Sequence, residues 1–221
     1  MSKSTRRQVL AALIAAAASL AGCTKSDKGS GAAAPVSEAS KGQDPVLATL
    51  GAAQKAEHAL LLSFETYATA TQRDDPSFSV LYRALARSCE VRLEALTEAI
   101  VAKGGAVPES PASASASTLA GDLQKAIADV GDLSSNLYPE LRSNAVKAKD
   151  TAAVQVLAYG VQVLPEMESL LQAGAEGLAS GAPPSAQTYY VCPTCGHVTT
   201  TLDFDECPYC YTMARDFEAI S

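Results

Sequence analysis

From Asp44 to about Ala179 apolar residues recur every three or four positions, the spacing that puts one face of an α-helix against a core. Asp44 can cap a first helix with Pro45 at its first position, and the apolar stripe runs Val46, Leu50, Ala53, Leu60, Leu61, Phe64, Ala68 before Asp74-Asp75-Pro76 ends it. A second stripe, Leu81, Leu85, Cys89, Leu93, Leu96, Ile100, predicts a helix from about Pro76 to Lys103. The segment from Gly104-Gly105 to Ser117 is Gly, Pro, Ser and Ala and must be a loop. Beyond it, Leu119, Leu123, Ile127, Val130, Leu133, Leu137 and Leu141 predict a third helix over 117–148. Val154, Leu157, Val161, Leu164, Met167 and Leu171 predict a fourth from Asp150 to about Ala179. Two helical hairpins joined by one longer crossover make a four-helix bundle over residues 44–180. Pro139 and Pro165 lie inside helices three and four, where each removes a backbone bond and is expected to bend its helix. After a linker at 181–187 the helical period stops, and 188–221 reads as a small β module.

Composition sharpens this picture. A chain of 221 residues allows one ordinary domain and something small, and 48% apolar with only 5% aromatic residues favours closely packed helices, so the fold class is mostly α. A net charge of −7 argues against nucleic acid as a partner, and two His cannot supply a site that needs three imidazoles. Residues 1–22 read as an export signal, with Lys3, Arg6 and Arg7 ahead of the apolar run Val9 to Ala21, which is short for a membrane span. Leu20-Ala21-Gly22-Cys23 resembles the lipobox of bacterial lipoproteins, which makes Cys23 the lipidated residue and 23–43, rich in Ser, Gly, Ala and Lys, a tether. Thr5-Arg6-Arg7-Gln8-Val9-Leu10 also resembles a twin-arginine signal, the alternative to the general export route. The expected location is the bacterial envelope, outside the cytoplasm and held to the membrane by the acyl chains. Thr24 after the Cys resembles the sorting pattern of outer-membrane lipoproteins, if the host has two membranes.

Three glutamates fall on or beside the inner stripes. Glu57 is seven residues from both Leu50 and Phe64, which turns it toward the core; Glu90 borders the stripe of helix two and Glu166 that of helix four. A buried carboxylate must bind a metal or find a donor; otherwise each glutamate turns to the surface or pairs with a cation, as Arg87 or Arg92 could near Glu90.

The C-terminal segment carries the sharpest motif. Cys192-Pro193-Thr194-Cys195-Gly196-His197 and Cys207-Pro208-Tyr209-Cys210 are two Cys-x-x-Cys knuckles with 11 residues between them. The two-residue gap lets both thiolates of a knuckle reach one ion while backbone amides point at the sulfurs, and Gly196 permits a positive φ. Four thiolates form a closed tetrahedral site for zinc or a single iron, and the metal should be what folds so small a piece. Two disulfides are the alternative in an exported chain, but pairing within a knuckle would close strained short loops. Tyr189, Tyr190, Phe204 and Phe217 are the expected aromatic core, His197 a neighbour of the site rather than a ligand, and Cys89 a small core residue.

A four-helix bundle followed by such a module, ending in Asp216-Phe217-Glu218-Ala219-Ile220, resembles rubrerythrin over about residues 46–220, with Leu137-Tyr138-Pro139-Glu140-Leu141 similar to a segment of that family's third helix. The resemblance implies a ferritin-like bundle and a rubredoxin-like module. In the family, a mononuclear four-cysteine iron relays electrons to a carboxylate-bridged di-iron centre that reduces hydrogen peroxide. Carried over, Glu57 falls on the first-helix ligand and Glu90 opens the Glu-x-x-His motif, but Leu93 stands at the His, Leu133 and Val130 stand at glutamate positions, and Glu166 has no His three residues on. Hydrophobic residues there cannot ligate iron, so the bundle reads as a metal-free scaffold and the chain as an incomplete di-iron peroxidase.

The leading expectation is therefore a membrane-anchored protein that transfers one electron through iron at Cys192, Cys195, Cys207 and Cys210, to or from an unidentified redox partner protein, with a homodimer as a candidate assembly. A structural zinc ribbon in an envelope scaffold is the alternative. The other is an oxidoreductase acting on peroxide, with Glu57, Glu90 and Glu166 still holding metal.

Overall fold

The computed structural model describes residues 44–109 and 114–221. Helix α1 (Pro45–Thr71) starts where Asp44 accepts from the Val46 amide at 2.9 Å, with Pro45 in its first turn. Helix α2 (Pro76–Ala102) returns antiparallel to it after a short turn. Across the crossover, α3 (Leu119–Asp132) is capped by Thr118, whose hydroxyl accepts from the Gly121 amide. A π-helical turn (Leu133–Leu137) links α3 to α4 (Tyr138–Lys147), and α5 (Thr151–Ser180) follows, capped by Asp150. Lys103 at the end of α2 pairs with that same Asp150, tying the crossover to the last hairpin.

The expected third helix is thus one rod with a wide turn in its middle. Pro139 has no N–H to donate, and the π turn takes up the defect with the Tyr138 amide bonded back to Leu133 O. The extra residue advances the inward face by one position. Leu137, which the apolar spacing assigns to the core, is only half-buried, and Tyr138 takes its place at 1% exposure. At Pro165 α5 continues as α-helix with no π turn, and the ring is on the solvent side. In α2 the stripe shifts as well, with Arg92 buried between Cys89 and Leu96 while Leu93 is half-buried.

A three-stranded antiparallel sheet follows, in the order β2 (Val198–Thr199), β1 (Tyr189–Val191), β3 (Glu218–Ile220). Val191 pairs with Val198 on one side and Glu218 on the other. The module packs on the bundle through α2 and α5, and its Tyr189, Val191, Val198 and Phe217 join the same apolar core as Leu85, Cys89 and Met167. Arg87 of α2 grips Glu218 with two hydrogen bonds of 2.7 Å, and Arg83 donates to the Ser221 carbonyl at 2.9 Å. Among the described residues no helix is long and apolar enough to cross a membrane.

Candidate metal centre

Each knuckle is a tight turn. In the first, the Gly196 amide donates to Cys192 O and the Cys192 amide to His197 O; in the second, the Tyr211 amide donates to Cys207 O and the Cys207 amide to Thr212 O. Both turns need a left-handed residue four places after the leading Cys, supplied by Gly196 at φ +78° and by Tyr211 at φ +63°. The second is a non-glycine residue in a conformation that costs L-residues energy.

The turns bring four sulfurs together, all within 4.8 Å of one another, with Cys192 and Cys210 at 3.4 Å and Cys195 and Cys207 at 3.6 Å. A tetrahedral ion with metal–sulfur bonds of about 2.3 Å requires sulfurs ~3.8 Å apart, a spacing near that of this donor set, which suits zinc or iron. All four are free thiols. Backbone amides of Thr194 and Cys195 point at the Cys192 sulfur, that of His197 at Cys195, and those of Tyr209 and Cys210 at Cys207. The crowded thiols split in acidity: donors from Cys195 and Cys207 push the Cys192 thiol far down, and contact with Cys192 first of all pushes Cys207 up to about 11. A cation replaces these shared protons when it binds. These cysteines form a metal-binding site.

Around the site lies an aromatic shell. His197 is 5% exposed and meets Tyr209 edge-on at 5.0 Å and Phe217 at 6.2 Å, while Phe204 and Phe217 pack at 5.5 Å. Burial pushes the His197 imidazole below its ordinary range, so it sits there neutral. Tyr190 and Phe204 are only partly buried, and the shell gains Tyr209, a residue inside a knuckle that apolar spacing could not single out.

The three glutamates go to three different places. Glu166 of α5 accepts from the Tyr209 hydroxyl at 2.5 Å, a bond between bundle and module. Glu90 pairs with Arg87 at 3.0 Å on the half-exposed side of α2. Glu57 alone is in the core, at 0% exposure, and its carboxylate is closed by donors: Arg92 Nε on Oε1 and Nη2 on Oε2, both at 2.9 Å, with the Tyr138 hydroxyl also on Oε1 at 2.5 Å. The four cysteines are the one group of three or more His, Cys, Asp or Glu among the described residues whose ligand atoms converge for a metal.

Arg92 organises everything near it. Nη2 also lies 3.6 Å from Cys89 Sγ and 3.3 Å from Met167 Sδ, and Nη1 donates to Ser88 Oγ at 2.6 Å. Burial alone would drive the guanidinium toward its neutral form; the facing Glu57 charge prevails and holds its pKa above the ordinary value. Burial, followed by that same charge, pushes the Tyr138 and Cys89 hydrogens well up, so both groups stay protonated. The Tyr138 ring packs against Gly160 of α5: a Cβ there would stand 1.9 Å from Tyr138 Cε1. Neither Arg92 nor Tyr138 lies on the apolar stripes; Arg92, expected as a partner near Glu90, pairs with Glu57 instead, and Arg87 is the cation on Glu90.

No protein-family model matches the sequence, and no curated protein is similar to it in sequence. Solved structures are similar in fold. Nigerythrin in its fully reduced, all-ferrous state and in a partially reduced state each superpose with a TM-score of 0.73 at 20% identity, over 83% of this chain and 91% of theirs. The mixed-valent state of nigerythrin gives 0.71 at 21% identity, over 83% of this chain and 90% of that one. The chain has that fold: a ferritin-like helical bundle followed by a small rubredoxin-like module with a four-cysteine cluster.

Proposed function

We propose that this chain is a rubrerythrin-like electron carrier of the bacterial envelope, in which Cys192, Cys195, Cys207 and Cys210 hold one iron and residue Cys23 carries the lipid anchor. The observation that carries the reading is the contrast between two sites in one molecule. The knuckles present four converging thiols with amides aimed at three of them, whereas the bundle carboxylate Glu57 is already closed by Arg92 and Tyr138. When bound by four thiolates, iron supplies one-electron chemistry.

The chain's own residues supply the rest. Cys192, Cys195, Cys207 and Cys210 would hold the ion by the same four sulfurs in both oxidation states, which would keep structural change on electron transfer small. His197, Phe204 and Phe217 pack on one another as the module's apolar core beside the knuckles. Cys210 is the least buried ligand, and Tyr211 beside it is 75% exposed, so this edge is where a redox partner protein exchanges the electron. The bundle serves as a scaffold: its buried cation is a guanidinium. Residues 1–43, including Cys23, lie outside the described residues, and the anchor rests on the lipobox-like sequence.

Protein purified without added metal is expected to show an iron–thiolate absorption that dithionite bleaches, with one iron per chain. Colourless protein with one zinc per chain overturns electron transfer in favour of a structural zinc ribbon. For the anchor, Cys23→Ser should move the protein from the membrane to the soluble fraction; unchanged fractionation refutes that part.

A further inference from the structure

A line of hydrogen bonds runs from the bundle's buried ion pair to one sulfur of the four-cysteine site. Arg92, held by Glu57 through Nε and Nη2, donates from Nη1 to Ser88 Oγ at 2.6 Å. The Ser88 hydroxyl in turn donates to the Gly196 carbonyl. Gly196 C=O and His197 N–H are the two ends of one peptide unit, and that N–H is the one that donates to the Cys195 sulfur. Bundle and site are therefore joined through a single polarisable peptide.

The approach is built in. Gly196 has no Cβ, and one placed there would stand 2.7 Å from the Ser88 carbonyl oxygen and 3.0 Å from Arg92 Nη1. Ser88 is 0% exposed and Arg92 3%, so no water competes for these bonds, and in such surroundings consecutive hydrogen bonds reinforce one another. A donor on the carbonyl end of a peptide makes its N–H the better donor at the other end. An N–H bonded to a thiolate draws charge from the sulfur, and hydrogen bonds to ligand sulfurs are among the levers that set the potential of an iron–thiolate centre.

We propose that Ser88 and Arg92 are positioning residues for the metal centre: by polarising the Gly196–His197 peptide they strengthen its bond to Cys195 and favour the more negative, reduced state of the bound iron. This rests on the iron reading above, and it adds a function for a bundle that holds no converging carboxylates among the described residues. A purely structural Ser88, serving only to dock the module, would leave the potential where it is.

The test is a redox titration of the full chain loaded with one iron, in which dithionite supplies the electron and is oxidised, and the iron takes it up with no bond made or broken. Ser88→Ala should favour the oxidised state by about threefold to tenfold, a fall of about 28 to 59 mV for one electron. Ser88→Thr, which keeps the hydroxyl, should restore the parent value, and Arg92→Lys, which keeps a cation near Glu57 but lacks the second arm, should fall in the same direction by less. An unchanged potential in Ser88→Ala overturns the proposal; if that variant does not fold, an unchanged potential in Arg92→Lys does so. Should the parent chain bind zinc and no reducible iron, the electron-carrier reading fails, and the strut is read in the cobalt(II)-loaded chain. There the thiolate-to-cobalt charge-transfer band moves to lower energy in Ser88→Ala if the strut draws charge from Cys195, and stays fixed if it does not.

Discussion

Gly160→Ala separates two accounts of the bundle core, because helix propensity and packing pull in opposite directions. On propensity alone the substitution replaces a poor helix former inside α5 with the best one and stabilises the helix by about 1 kcal/mol. The structure opposes this: the new methyl would sit 1.9 Å from Tyr138 Cε1 and 2.6 Å from Cζ, so the ring must leave its seat. Overpacking of this kind costs about 1–3 kcal/mol. Moving the ring also withdraws the hydroxyl from Glu57, a hydrogen bond to a buried charged group worth about 1.5–3 kcal/mol. After the propensity gain is subtracted, the net loss is about 1.5–5 kcal/mol, measured as the shift in urea midpoint at constant slope. Tyr138→Phe isolates the hydroxyl and should cost about 1.5–3 kcal/mol. In that background Gly160→Ala should cost less, because the bond to Glu57 is already gone. A neutral or stabilising Gly160→Ala refutes the packing of Tyr138 on α5 and, with it, the closure of Glu57 described above.

Other consequences follow from the same geometry. Glu57→Leu or Arg92→Leu alone should each cost about 3–5 kcal/mol in chemical unfolding by leaving a buried charge without its partner, while the double substitution should recover most of that loss. Tyr211→Gly, at φ +63° on an exposed side chain, should stabilise the second knuckle by up to about 1 kcal/mol, read as slower loss of metal to a chelator. The Lys103 ammonium, then the Ala153 amide, holds the Asp150 carboxyl below its usual range, so the unfolded chain binds more protons than the folded one in acid. Stability is then fully present above the ordinary aspartate value of about 4 and declines as pH falls through the lower folded value, and Asp150→Asn, which still caps α5, should make that decline shallower. Stripping the metal should unfold residues 188–221 with loss of near-ultraviolet tyrosine signal while the helical far-ultraviolet signal persists.

What could be seen beforehand depended on how local the cause was. The helix starts at Asp44 and Asp150 and the two knuckles are set by residues within one turn, and the structure has them where the spacing puts them. Glu57 could be placed inside because a seven-residue spacing needs only helical geometry. Its partner was another matter. Arg92 lies in the core paired with Glu57, an interaction between elements that a single-helix stripe cannot register, while Leu93 beside it is only half-buried. Tyr138 likewise reaches Glu57 through a π turn that no residue pattern announced beyond Pro139. Glu166 and Tyr209 met because module and bundle pack face to face, a relation between two segments with separate sequence signatures.

A guanidinium is part of the polypeptide from the moment of synthesis, whereas a metal has to be acquired. With Arg92 on Glu57, the charge of that core carboxylate is balanced as soon as the helices meet, whatever ions the surroundings offer. Among the described residues, the knuckles at Cys192–Cys195 and Cys207–Cys210 are what waits on supply. Scarcity of metal would thus fall on one small module of an otherwise complete protein, leaving the helices assembled and the vacant thiols poised to be filled later.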